Sequence, residues 1–470
     1  MGMPQNFLTC DREQPFLMPP DPRDWLPEGH LAWFVLESVE QMDVSAFYAS
    51  YRRDGWGRAA FEPKVMLSLL LYAYARGERS SRGIERRCVE DVAFRVIAAH
   101  QTPDHATIAR FRVRHEEALA ELFGSVLSLC KEAGLVKVGL IAIDGTKVHA
   151  NASHHCNLDY EQLAREILKE ADEVDAAEDE LFGDARGDEL PPEFQSTGEL
   201  RKRLREAKQR LDAKRAAEQK PVPRSRAKRL RESKKRLDQE LELERRVRAD
   251  YQAWRARGIS ADGRRIGGRE PKLEPLPEQP RGKINTTDPD SRNVKTPRSY
   301  TQGYNAQAVV NENQIVLAAE VTVSSPDFGH LQPMVEATNK ELQAIGVTDT
   351  PGVAVADTGY WHEEQIDNVV TGGTQVLIPP DAPKRDTPRP GWQGGRYAWM
   401  RNVLATDYGG GLYRRRKAIV EPVFAQTKHN RRIDSFQRRG RSAARSEWRL
   451  ITATHNLLKL HKHQIAPAAA

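Results

Sequence analysis

The spacing of apolar residues along this chain changes at Gly134. Before it they recur at helical intervals: Leu31, Phe34, Val35 and Val39 share a face, Pro63 opens a run from Lys64 through Tyr74, and Ser81 starts a helix through Ile84 and Cys88. The segment Pro103-Asp-His-Ala-Thr-Ile-Ala-Arg-Phe-Arg-Val-Arg114 reads as a turn feeding a helix that carries Arg110, Arg112 and Arg114. Short helices with small turns suit a helix-turn-helix-like bundle, and equally an all-helical packing domain with solvated arginines.

Beyond Gly134, β-branched runs take over. Leu135 to Ile143 predicts a buried strand ending at Asp144-Gly145, although an Asp-Gly pair by itself reads as a hairpin turn. Tyr304 to Val323 holds two apolar runs joined by Asn311-Glu-Asn313, which predicts a hairpin. A helix is expected over Leu331 to Leu342, a buried strand from Gly352 to Ala356 ending at Asp357, a helix from His362 to Val370, a strand at Thr374 to Ile378 and a final helix. The expected fold class is α/β: a mixed five-stranded sheet with flanking helices, preceded by an all-helical domain and interrupted by a helical insertion.

Charge sharpens the outline of that insertion. From Asp159 to Glu189 there are thirteen Asp or Glu against three Lys or Arg, and from Arg201 to Asp250 twenty basic residues against nine acidic. Leu200, Leu204, Leu211, Leu230, Leu237, Leu241 and Leu243 give partial heptads, a helical hairpin or short coiled coil broken at Pro221-Val-Pro223, with a mobile connection from Gly263 to Thr296. The divisions expected are a helical region 1–133, a core in two parts at 134–155 and 298–462, the charged insertion and linker 156–297 between them, and a tail 463–470. Between Arg414 and Arg449, twelve basic residues face three acidic ones. The net charge of the 470 residues is only +6, so it is the local basic blocks that favour a polyanionic partner, with nucleic acid first. Four scattered cysteines without a Cys-x-x-Cys pair indicate neither a disulfide framework nor a cysteine zinc site. His149, His154, His155 and Cys156 form the densest metal-capable cluster, but without a second cluster a structural role is favoured. The longest apolar run, Val65 to Ala75, is too short to span a bilayer, and a soluble, cytoplasmic, nucleoid-associated protein is expected.

The candidate chemistry is carboxylate. If the strands before Asp144 and Asp357 lie side by side, both acids emerge at one sheet edge, where open α/β sheets place their sites. Two close carboxylates repel unless a cation neutralises them, and an oxygen-only site favours Mg²⁺ or Mn²⁺, with two ions suited to in-line displacement at phosphorus. Glu421 is the third candidate, on a basic helix with Tyr413, Arg416 and Lys428; alone it reads as a surface glutamate. Lys428 falls close to its face and Arg416 less so, both suited to phosphate. Trp361 could stack on a base or pack under the sheet, and Asp290 reads as a turn aspartate.

Taken together, Ile-Asp144-Gly-Thr, Ala-Asp357-Thr-Gly-Tyr and Val-Glu421-Pro-Val-Phe resemble the three acidic segments of the DDE transposases of bacterial insertion sequences. The region from Ala32 to Gly134 is similar to the helical N-terminal domain of that family, and Tyr413, Arg416, Glu421 and Lys428 resemble its tyrosine, arginine, glutamate and lysine signature, with one extra residue between Arg416 and Glu421. The resemblance implies a ribonuclease H-like core whose three acids, Asp144, Asp357 and Glu421, bind two catalytic metal ions. It also implies double-stranded DNA as partner, both terminal inverted repeats and target, contacted by Tyr413, Arg416, Lys428, Arg110 and Arg112. A homodimer on DNA is expected, because two ends are held together. The alternatives are a nuclease of the same type without strand transfer and a catalytically silent DNA-binding remnant.

Overall fold

The computed structural model describes residues 22–51, 60–167, 210–211, 222–223, 225–257, 282–296, 299–381 and 392–466. The acidic block beyond residue 167, Leu200 and Leu204, Pro221, most of the 263–296 connection and the last four residues of the tail lie outside them.

The helical region comprises α1 (Leu31–Gln41), α2 (Ser45–Tyr48), α3 (Pro63–Ala75), α4 (Ser81–Glu90), α5 (Val92–Ile97), α6 (His105–Arg114) and α7 (Glu116–Glu132). Its starts have local causes. Pro63 sits in the first turn of α3, where its missing N–H leaves nothing unpaired. Ser80, Asp91 and Asp104 cap α4, α5 and α6, each accepting from a backbone N–H of the first turn. Almost every side chain of α3 is buried, because it lies at the centre of the bundle.

The main sheet has six strands: β1 (Leu140–His149), β4 (Arg292–Lys295), β5 (Tyr300–Asn311), β6 (Val316–Thr322), β7 (Val353–Ala356) and β8 (Gln375–Leu377). β2 (Asn157–Leu158) and β3 (Ile284–Asn285) form a separate small ladder, with α8 (Arg226–Ala256) between them in sequence. The order β4-β5-β1-β7-β8, with β6 also on β5, is mixed: β1 is antiparallel to β5 and parallel to β7. The Asp144-Gly145 pair does not turn. β1 runs straight through it, Asp144 opposite Ala308 and Gly145 opposite Gln307, because β5 offers a ladder partner as far as His149. The strand also starts at Leu140, later than the apolar run suggests, and β4 is a sixth strand within a segment expected to be a connection.

Helices α9 (Leu331–Ala344), α10 (Glu363–Thr371), α11 (Gly395–Ala405), α12 (Asp407–Ala425) and α13 (Arg441–Ile465) complete the fold. α13 packs on β6, α7 and α3, and Trp448 Nε1 donates to the Gln307 carbonyl at 2.9 Å. One buried apolar cluster therefore extends from Ala32 to Leu460, so the helical region and the sheet share a core. Leu230 and Leu237 of α8 pack with Leu163 and Ile284 in a small separate cluster, which turns part of the leucine seam onto its own chain.

Candidate active site at the ends of β1 and β7

The site begins with register. Leu140 to Ile143 pair in parallel with Val353 to Ala356, so the next residues, Asp144 and Asp357, stand side by side where that pairing ends. Both apolar segments are buried, as central strands require. β7 stops because Asp357 becomes the cap of the short turn Thr358–Tyr360, its Oδ1 accepting from the Gly359 N–H at 2.8 Å. Asp144 remains within β1, and its Oδ1 accepts from the Gly145 N–H at 2.8 Å.

Neither carboxylate is at ease. Burial pushes Asp144 up to about 6 against the pull of Arg416, with Asp357 and Asp327 adding to the rise. Burial likewise raises Asp357; the Gly359 N–H opposes it and Asp327 adds to it. Arg416, on the inward face of α12, places Nη1 2.9 Å from Asp144 Oδ2. Burial works against the guanidinium charge, but Asp144 and Asp357 outweigh it and hold the pKa above the usual range. Tyr413, one turn earlier, is partly buried and in hydrogen-bond contact with Arg416, and burial raises its hydroxyl.

The remaining sequence candidates divide. Lys428 does approach β1, donating to the Lys147 carbonyl at 2.7 Å, and burial lowers its pKa. It does so from a π-helical turn, Gln426–Asn430, so the regular two-turn spacing from Glu421 does not hold. Glu421 is exposed, five residues and about 140° round the helix from Arg416. It is not among the groups that perturb Asp144 or Asp357. Arg110 is exposed on α6, bonded to Thr107 Oγ1. Arg112 is not available to a DNA strand: it is only 6% exposed and donates to Ser81 Oγ, the Arg79 carbonyl and Tyr74 Oη. Its place on α6 suggested a DNA contact, but the side chain turns inward to satisfy the junction of α3 and α4. Trp361 is buried, stacked on Tyr397 at 5.1 Å between ring centroids, which favours packing over base contact. Asp290 is paired with Arg236 of α8 and accepts from the Arg441 N–H.

Sequence reading overlooked Asp327, Lys147, Asn305 and Gln307. Asp327 Oδ1 accepts from Asn305 Nδ2 at 2.8 Å, Gln307 Nε2 at 2.9 Å and Lys147 Nζ at 3.2 Å. No motif marks them in the sequence; their place follows from topology, since β6 and β1 both pair antiparallel with β5 and so run the same way, with Thr322 and Lys147 both opposite Asn305. The loop after β6 therefore leaves at the edge where Asp144 and Asp357 emerge.

Among the described residues, no group of three or more His, Cys, Asp or Glu side chains is arranged to hold a metal ion. The pair itself fits one. Two aspartates raised by burial and by neighbouring carboxylates, Asp357 and Asp327 at Asp144 and Asp327 at Asp357, are a hard-oxygen donor set short of positive charge, matched to Mg²⁺ or Mn²⁺, which fill their remaining positions with water or phosphate oxygens.

Two family models match the chain. One, described as a transposase domain (DUF772), matches residues 20–114, from the turn before α1 through α6. The other, described as a transposase DDE domain, matches residues 387–461 and takes in Tyr413, Arg416, Glu421 and Lys428 but neither aspartate. Together the two matches support a DDE transposase of insertion-sequence type. No curated protein and no solved structure matches the chain.

Proposed function

We propose that this transposase cuts DNA at the terminal inverted repeats of its element and joins the freed 3′ hydroxyls to target DNA, with Asp144 and Asp357 as carboxylates of the reacting centre. The observation that carries the reading is the β1–β7 register, which sets the two acids next to each other at the sheet edge. A divalent cation held by Asp144 and Asp357, Mg²⁺ or Mn²⁺, would supply Lewis-acid charge at the scissile phosphate. Arg416 keeps Asp144 oriented and balances its charge in the meantime, and offers a planar fork to a phosphate oxygen once that carboxylate is otherwise engaged. Tyr413 holds Arg416 from the preceding turn, and Lys428 ties α12 to β1 three residues beyond Asp144. Glu421, the third acid of the resemblance, stands on the exposed face of α12, where bound DNA would complete the set. Exposed Arg110 on α6, which packs against α4, suits phosphate contact at the repeats. A cleft of about 990 Å³ lies beside these helices, lined in part by Arg82, Arg438 and Arg439, and adds to the basic surface. Two chains, one on each end, would form the working dimer.

The test is a cleavage and joining assay on duplexes carrying the element's ends. Asp144→Asn and Asp357→Asn should retain end binding and lose cleavage by about a thousandfold or more. Glu421→Gln should do the same if the third acid acts as proposed. Wild-type cleavage by either aspartate variant would refute the assignment.

A further inference from the structure

We propose that Asp327 is a positioning residue of this centre, the carboxylate that sets how tightly Asp144 and Asp357 hold a divalent cation; the inference rests on the cation site proposed above. Two glycines lead to it. A Cβ on Gly145 would stand 2.6 Å from Asp327 Oδ1, 2.3 Å from Gln307 Nε2 and 2.7 Å from Asn305 Oδ1. A Cβ on Gly359 would stand 2.9 Å from Asp357 Oδ1, 3.6 Å from Asp327 Cβ and 3.8 Å from Asp327 Oδ2. The glycine after the first aspartate and the glycine two beyond the second thus leave room for the same side chain. Asp327 stands between them, one oxygen toward each loop.

Its environment is built rather than incidental. Asn305, Gln307 and Lys147 all donate to Oδ1, which fixes the carboxylate plane and leaves Oδ2 on the Asp357 side. A second observation points to a ligand. Asn305 is wholly buried, yet its Oδ1 has no hydrogen-bond partner, and that oxygen lies against Gly145, next to Asp144. A buried acceptor without a donor is rare, and one beside three carboxylates suits the water of a hydrated cation.

Asp327 acts through the field it adds and the loops it anchors, not as a member of a closed ligand cage. Lys147 lies 3.2 Å from it and cancels part of that field. The two side chains should therefore move cation affinity in opposite directions, which a purely structural role for the pair would not do.

The experiment is Mn²⁺ binding to the full chain without DNA, followed by electron paramagnetic resonance and calorimetry. Asp327→Asn should weaken Mn²⁺ binding by about 10- to 100-fold, the range typical of groups that support metal ligands. Asp327→Glu should recover most of it, and Lys147→Gln should tighten it. Wild-type affinity in Asp327→Asn, or weaker binding in Lys147→Gln, would overturn the proposal. If Asp327→Asn fails to fold, the Glu and Lys147 variants decide by the same signs. Asp144→Asn separates the two levels: its loss of Mn²⁺ alongside an indifferent Asp327→Asn defeats only this inference, whereas wild-type binding by Asp144→Asn defeats the cation site itself.

Discussion

Two pairs of aspartates, Asp144 with Asp357 and Asp288 with Asp290, show what separates a reactive carboxylate from a structural one. Asp288 is fully buried, but Tyr304 Oη donates to both of its oxygens at 2.9 and 2.8 Å and the Gly440 N–H to one at 3.2 Å. Asp290 accepts from the Arg441 N–H at 2.9 Å and is paired with Arg236. Those N–H groups belong to the first turn of α13, whose dipole favours negative charge. Every role of the second pair is met by fixed donors, and the result is a clasp between α8, the start of β4 and α13. At the sheet edge the donors are fewer: one guanidinium and one neighbouring N–H for Asp144, one N–H for Asp357. Incomplete satisfaction, not acidity or burial, marks the site.

The widest expected split follows directly. Asp144→Asn and Asp357→Asn should lose cleavage by about a thousandfold or more while thermal denaturation stays close to wild type, because each substitution relieves a carboxylate that burial disfavours. The clasp should behave in reverse. Asp290→Ala breaks a pair whose side chains are 9% and 15% exposed and should lower the free energy of unfolding in urea by about 3 kcal/mol. Equal stability in that variant would remove the distinction.

A pH series probes the same contrast. Burial, then Asp290, push Asp288 up to about 6. Its stabilising contribution is therefore complete below about pH 4 and is lost as the pH rises through about 6. Relative to Asp288→Asn, the wild type should lose up to about 3 kcal/mol between pH 4 and 7. Asp290 is lowered, against burial, by Arg236 and the Arg441 N–H, so its contribution is present at neutral pH and disappears only in acid. Urea midpoints of Asp288→Asn that fall in parallel with those of the wild type would contradict the assignment.

The smallest effect carries the comparison over to arginines. Arg112→Ala should destabilise the fold by about 2 kcal/mol, because two buried hydrogen-bond acceptors and the half-buried Ser81 hydroxyl lose their donor. Arg110→Ala should leave stability unchanged and reduce the salt dependence of DNA binding by about one unit of slope. A reversal of the two would place the DNA-facing side of α6 wrongly.

How far the sequence disclosed this arrangement depends on where each interaction closes. The paired aspartates were legible because Ile141 to Ile143 and Val353 to Ala356 are apolar on both faces, which only neighbouring central strands explain. The helix starts at Pro63, Ser80 and Asp104 were legible because capping is local. The continuation of β1 through Asp144-Gly145 was not, since its cause is the ladder supplied by β5, more than 150 positions away by the register. Arg112 looked like a DNA contact because its acceptors sit on other elements. Glu421 and Lys428 seemed to share a face only while the helix was assumed regular, and the π-helical turn at Gln426 breaks that phase. Asp327 carries no motif of its own; its importance comes from what Gly145 and Gly359 leave open.

The central claim is that Asp144 and Asp357 hold a divalent cation between them. Anomalous diffraction at the manganese edge, from crystals of the chain soaked in Mn²⁺, tests it most directly. The account predicts a peak within about 2.5 Å of an oxygen from each aspartate. Ordered carboxylates with Arg416 still on Asp144 and no manganese between them would contradict it.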